Sequence, residues 1–89
     1  MIKFIFLKNA QKQFLNLGEP DRNRILNKLK FLKNHTNIFF ILKPLHGFEF
    51  VSYRLRIGNY RLCLGIKLRT KDDVVFFVFK VGHRREIYS

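Results

Sequence analysis

The stretch SYRLRIGNYRLCLGI, residues 52–66, restricts the fold more than any other part of the chain. Apolar and polar residues alternate on both sides of Gly58–Asn59, and a period of two places successive side chains on opposite faces of a strand. Gly and Asn both tolerate positive φ, so this pair predicts a two-residue hairpin turn. Tyr53, Leu55, Ile57, Tyr60, Leu62 and Leu64 then share one face. Arg54, Arg56 and Arg61 share the other.

The remaining elements must cover the apolar face. IKFIFL (2–7) is β-branched and aromatic and predicts a strand with Phe4 and Phe6 on one side. Residues 9–17 switch to helical spacing, with Ala10, Phe14 and Leu17 in phase and Asn9 as the expected N-cap. Gly18 ends that helix. Pro20 and Asp21 open a second one over about 20–34, Pro in the first turn and an acid at the positive end of the dipole. Its stripe is Ile25, Leu26, Leu29 and Leu32, backed by Arg22, Arg24, Lys28, Lys30 and Lys33. NHTN and KPLHG read as loop, and RTKDD as a second turn. VVFFVFKV (74–81) is apolar on both sides and therefore central. The expected architecture is α+β in one domain spanning 1–89. Its order is β-α-α-β-β-β, with a helical hairpin on one face of a small antiparallel sheet.

Eleven Phe and a 47% hydrophobic content supply a core without disulfides, and the lone Cys63 has no internal partner. That usage fits a reducing compartment. No apolar run approaches the roughly 18 residues of a membrane span, and the first residues lack the features of a signal peptide. Together these predict a cytoplasmic protein with no membrane association. Charge is the dominant global signal: eighteen Lys and Arg against six acids give +12. Such self-repulsion implies a polyanionic partner or an acidic protein that neutralises it.

Charged residues on one face of an antiparallel sheet often do no more than meet water. Here all are of one sign, with no acid between residues 50 and 71. Arg56 and Arg61 flank the turn, where both reach a single anion. Lys80 joins them if Phe77 and Phe79 point toward the helices. The central strand then delivers GHRREIY, so that His83, Arg84, Arg85 and Tyr88 rim a basic concavity rather than a frayed, solvated end. Guanidinium forks suit phosphate oxygens, His exchanges protons near neutral pH, and Tyr offers a ring or a hydroxyl. The chain has no paired-carboxylate site, no Cys/His spacing for zinc and no Gly-rich phosphate loop. Phosphate chemistry at this site is expected to need no metal and no cofactor, and Cys63 to be inert.

YRLRIGNYRLCLGI, followed by a β-rich run and VGHRREIY, resembles the RelE/ParE superfamily of type II toxin–antitoxin toxins on its RelE side. Size, element order and KPLHG before the second strand agree, and the resemblance covers essentially the whole chain. It implies a basic ribonuclease that cuts mRNA in the ribosomal A site. In that chemistry the 2′-hydroxyl attacks the adjacent phosphate, leaving a 2′,3′-cyclic phosphate. It also implies an acidic cognate antitoxin, and binding to operator DNA only through the toxin–antitoxin complex. The motifs carry Arg61 and Arg84 to the scissile phosphate and Tyr88 to the base or to proton transfer, with Arg54 and Arg56 at basic family positions.

Some RelE toxins have a lysine, thought to be the general base, where this chain has Ser52, and another where it has Arg54. Arg seldom yields its proton near pH 7, so His83 or Tyr88 is expected to take one proton-transfer role, and weaker activity is a consequence. ParE-type relatives share the fold but inhibit DNA gyrase, and a non-catalytic nucleic-acid-binding module is a third reading. The terminal GHRREIY favours the ribonuclease.

Overall fold

Five strands and two helices form in the computed structural model, which describes residues 1–85. They follow in the order β1 (Ile2–Phe6), α1 (Lys8–Leu15), α2 (Glu19–Leu32), β2 (Lys43–Leu45), β3 (Ser52–Ile57), β4 (Tyr60–Arg69) and β5 (Val74–His83), with a 3₁₀ turn at Ile38–Phe40. The spatial order of the sheet is β1-β5-β4-β3-β2. The β3–β4 hairpin has the expected register, with Ile57 opposite Tyr60 and Arg56 opposite Arg61. Of the two turn residues, only Gly58 takes positive φ, at 60°. That is the pattern of a II′ turn, whose twist matches the strands, so Asn59 need not enter the left-handed region.

Both helices lie on one face. Ala10 of α1 and Ile25, Leu29 and Leu32 of α2 are buried with Leu55, Leu62, Leu64, Phe76 and Val78 from the sheet. Rings extend this core: Phe76 stacks on Phe4 at 5.6 Å and meets Phe39 at 5.9 Å, and Phe6 meets Phe14 edge-on at 5.3 Å. Arg22 reaches back to the Leu17 carbonyl and so fastens the turn between the helices. Among the described residues no helix is long and apolar enough to cross a membrane.

Several expectations are refined. The sheet is mixed, because β1 pairs parallel with β5 while the other ladders are antiparallel. Residue alternation fixes which face a side chain takes and says nothing of strand direction. KPLHG, read as loop, contributes the three-residue β2, in which Lys43 lies opposite Arg54. Pro44 is tolerated because β2 is an edge strand. Leu7 rather than Asn9 precedes the first helical residue of α1. Leu26 is 42% exposed, since Ile25, Leu29 and Leu32 at i, i+4 and i+7 already fill the buried stripe.

β5 carries a bulge. Leu64 pairs with Val78 and Cys63 with Lys80, so Phe79 has no partner in β4. Beyond Val78 the strand has also outrun β1, whose last pair is Phe6 with Val78. The Val81 N–H is taken instead by Gln13 Oε1 of α1, at 2.8 Å. Replacing Gln13 by Ala strands this donor and is expected to lower stability by about 1 kcal/mol, the low end because Gln13 lines a cleft that water can enter. Urea titration measures it.

Candidate functional site

The ladders assemble a rank of cations across four strands. Lys43 of β2 faces Arg54 of β3, Arg54 faces Cys63 of β4, and Cys63 faces Lys80 of β5. Directly paired residues lie on the same face of a sheet, so this rank crosses the side opposite the helices. Adjacent strands lie about 4.8 Å apart, which makes the rank roughly 14 Å long. The next rank toward the turn is Arg56, Arg61 and Gly82. Like charges directly opposite one another destabilise a sheet, so the arrangement costs stability that an anionic ligand would return.

Where the ranks meet β2 they enclose a concavity of about 210 Å³, lined by Ile41, Lys43, Arg54, Arg56 and Arg61. At about 30 Å³ per water molecule this holds several waters, or one oxyanion group in their place. Lys43 is the member that sequence reading missed. Its Lys-Pro context suggested a loop, and only the pairing with Arg54 reveals its direction.

Arg61 is the best-anchored group. It is only 5% exposed, and its Nη1 donates to the carbonyls of Gly58 at 3.1 Å and Tyr60 at 3.0 Å. A buried guanidinium needs such acceptors to offset its lost hydration, and these come from the turn that Gly58 makes possible. The turn is also covered from the helix side. A Cβ at Gly58 would meet Arg24 Nη1 at 3.1 Å. Ser52 is 2% exposed and donates its hydroxyl to the Leu45 carbonyl at 3.3 Å. It therefore ties β3 to the edge strand.

Lys80 joins the arginines for a reason other than the expected one. Phe76 and Val78 face the helices, while Phe77 and Phe79 lie on the open face against Phe48 and Phe50. In regular alternation that would turn Lys80 toward the helices. The bulge at Phe79 restores it, and Lys80 takes the position opposite Cys63.

His83 is a correction. It pairs with Tyr60, and the rings meet edge-on at 5.7 Å. The Tyr60 hydroxyl in turn donates to Asp21 of α2 at 3.0 Å. His83 thus lies on the helix side of the sheet, lining a cleft with Gln13, Asn16 and Leu17, and not on the rim of the arginine concavity. Parity explains it: Arg61 pairs with Gly82, so the next residue of β5 must turn the other way. The Arg85 N–H donates to His83 Nδ1 at 3.3 Å, which leaves Nε2 to carry the proton of the neutral ring.

The Arg84 N–H donates to the Asn59 carbonyl at 2.8 Å and so fastens the end of β5 to the turn that holds Arg61. Arg84 and Arg85 are both exposed. Tyr88 lies outside the described residues.

Cys63 sits in the middle of the cation rank and is buried. Burial pushes its thiol pKa up, against a smaller downward pull from Lys80 and Arg54. The thiolate is the reactive form, so an alkylating reagent at neutral pH is expected to label Cys63 only after denaturation. Mass spectrometry after a brief pulse reads this directly. Among the described residues no group of three His, Cys, Asp or Glu is placed to hold a metal ion.

No protein-family model matches the chain, and neither does any curated protein. Solved structures do. The isolated Escherichia coli RelE toxin superposes with a TM-score of 0.65 at 28% identity, over 97% of this chain and 89% of that one. The chain is RelE-like over nearly its whole length. The Mycobacterium tuberculosis RelBE2 toxin–antitoxin complex superposes at 0.68, with 20% identity over 92% and 96% of the two chains. The Pyrococcus horikoshii RelE–RelB complex does so at 0.66, with 22% identity over 93% and 94%. Two helices on a five-stranded mixed sheet are thus the RelE arrangement, and here the cation ranks lie on the side of the sheet opposite the helices.

Proposed function

We propose that this RelE-like toxin is an endoribonuclease that cuts mRNA in the ribosomal A site of the cytoplasm and thereby arrests translation. The observation that carries the reading is the convergence of Lys43, Arg54, Arg56 and Arg61 on one concavity. An RNA backbone brings a phosphodiester with its own nucleophile, the neighbouring 2′-hydroxyl. The protein then needs to position that group and stabilise charge. The 2′-oxygen forms a bond to phosphorus, the bond from phosphorus to the 5′-oxygen breaks, and a 2′,3′-cyclic phosphate and a 5′-hydroxyl result. The proton of the 2′-hydroxyl leaves to a base, and the departing 5′-oxygen gains one.

Arg61, held by the turn carbonyls, and Arg54 and Arg56 beside it stabilise the phosphorane oxygens, with Arg84 approaching from the end of β5. Lys80 and Arg85 hold flanking phosphates. With His83 on the far face, proton transfer falls to Lys43 within the concavity and to Tyr88. The RelE–RelB complexes support an antitoxin partner for this chain, and a charge of +12 favours an acidic one. Operon repression would then belong to the pair.

Brief induction followed by mapping of transcript ends tests the reading. Cuts within translated codons are expected, and none in an Arg61→Ala control. DNA damage with intact transcripts would point instead to gyrase inhibition, and salt-sensitive RNA binding without toxicity to a non-catalytic module.

A further inference from the structure

We infer that Phe48, Phe50 and Phe79 form a stacking platform for one unpaired RNA base next to the phosphate-binding cations. This rests on the ribonuclease reading above and deepens it, adding a base-recognition surface to a site otherwise made of charge. The rings are close: Phe48 meets Phe79 at 5.1 Å, and Phe50 meets Phe79 at 5.2 Å with planes 89° apart. Phe77 supports them from beneath, 5.3 Å from Phe50. A cluster under a loop commonly does no more than hold that loop down. Burial is the aim of such a cluster, yet Phe48 is 48% and Phe50 42% exposed.

The bulge supplies the stronger argument. It leaves Phe79 without a partner in β4 and turns two consecutive side chains, Phe79 and Lys80, to the same face. Bulges are enriched beside functional sites because they re-aim side chains in this way. The result sets an aromatic surface directly beside the cation rank of Lys80 and Arg54. Base faces beside cations that track a backbone are the recurrent means of holding single-stranded nucleic acid. Charge complementarity therefore selects single-stranded RNA as the occupant over an apolar peptide.

The test uses a short single-stranded RNA carrying one 2-aminopurine, whose fluorescence falls on stacking. It is titrated into wild type and into Phe48→Leu/Phe50→Leu, which keeps apolar bulk but removes the rings. The expected result is quenching by wild type, its loss in the double variant, and affinity weaker by roughly tenfold or more. The dependence of affinity on salt should be unchanged, because phosphate contacts remain. Phe48→Tyr/Phe50→Tyr should restore quenching.

Equal quenching by wild type and the leucine variant overturns the platform and leaves the ribonuclease reading standing. So does equal affinity for an RNA with an abasic ribose at the labelled position. Leucine variants that lose affinity for the antitoxin alone would reassign the rings to that partner. A wild-type protein that neither binds nor cuts RNA overturns the ribonuclease reading, and the platform with it.

Discussion

Arg61→Ala is expected to slow transcript cleavage by about 100- to 1,000-fold, the usual cost of removing one positioned donor from a site where charge develops. Arg61 is the residue for which this expectation is strongest. Its side chain is buried, and the carbonyls of Gly58 and Tyr60 orient the guanidinium before any substrate arrives. Such preorganisation means that little reorientation is required as the phosphorane forms. Lysine is a poor substitute: its ammonium is a point charge without a planar fork, so it cannot grip the turn and present a second nitrogen in a fixed direction. Arg61→Lys should recover only a small part of the lost rate. Single-turnover cleavage on ribosomes programmed with defined mRNA measures both variants, with near-ultraviolet circular dichroism as the control for folding. Cleavage by Arg61→Ala indistinguishable from wild type would remove Arg61 from the chemistry. Arg56 is exposed at the same level of the sheet, so its alanine variant should lose less.

The parts of this site that the sequence revealed are those governed by a strict period. Alternation in β3 and β4 placed Arg54, Arg56 and Arg61 on one face, and the Gly-Asn turn fixed which arginines oppose each other. Departures from the period were illegible. The bulge at Phe79 shifts the phase of β5 by one residue. A reading that carried perfect alternation through VVFFVFKVGH therefore had to choose between the phenylalanines and Lys80, whereas the protein turns both outward. His83 departs from expectation for a related reason: it adjoins Arg84 in sequence, but parity from Gly82 sends the imidazole to the helix side. Lys43 was lost because three residues with a proline carry almost no strand signal. It gains its place only from a partner eleven positions away.

Gly65→Val is expected to be the most damaging single change on the uncovered face. Gly65 pairs with Phe77, and the Phe77 ring lies across it. A Cβ there would come within 2.1 Å of Cζ and 2.5 Å of Cε1, far inside van der Waals contact. The ring has little room to yield, because Phe50 and Phe79 pack against it at 5.3 and 6.0 Å. Overpacking typically costs 1–3 kcal/mol, and a branched side chain beneath a confined ring should reach about 3 kcal/mol or more. For a domain of this size each kcal/mol lowers the unfolding temperature by roughly 4–8 °C, which calorimetry resolves easily. Phe77→Leu supplies the internal check. Beside a smaller, mobile side chain the valine should be far better tolerated, so the two changes together should cost clearly less than their sum. Strict additivity would show that the strain lies elsewhere. The same displacement should also disturb the platform, since Phe50 and Phe79 rest on Phe77. At temperatures where Gly65→Val remains folded it should lose 2-aminopurine quenching while keeping the salt dependence set by Arg54 and Lys80. Glycine at this position is thus required by a ring, not by a turn.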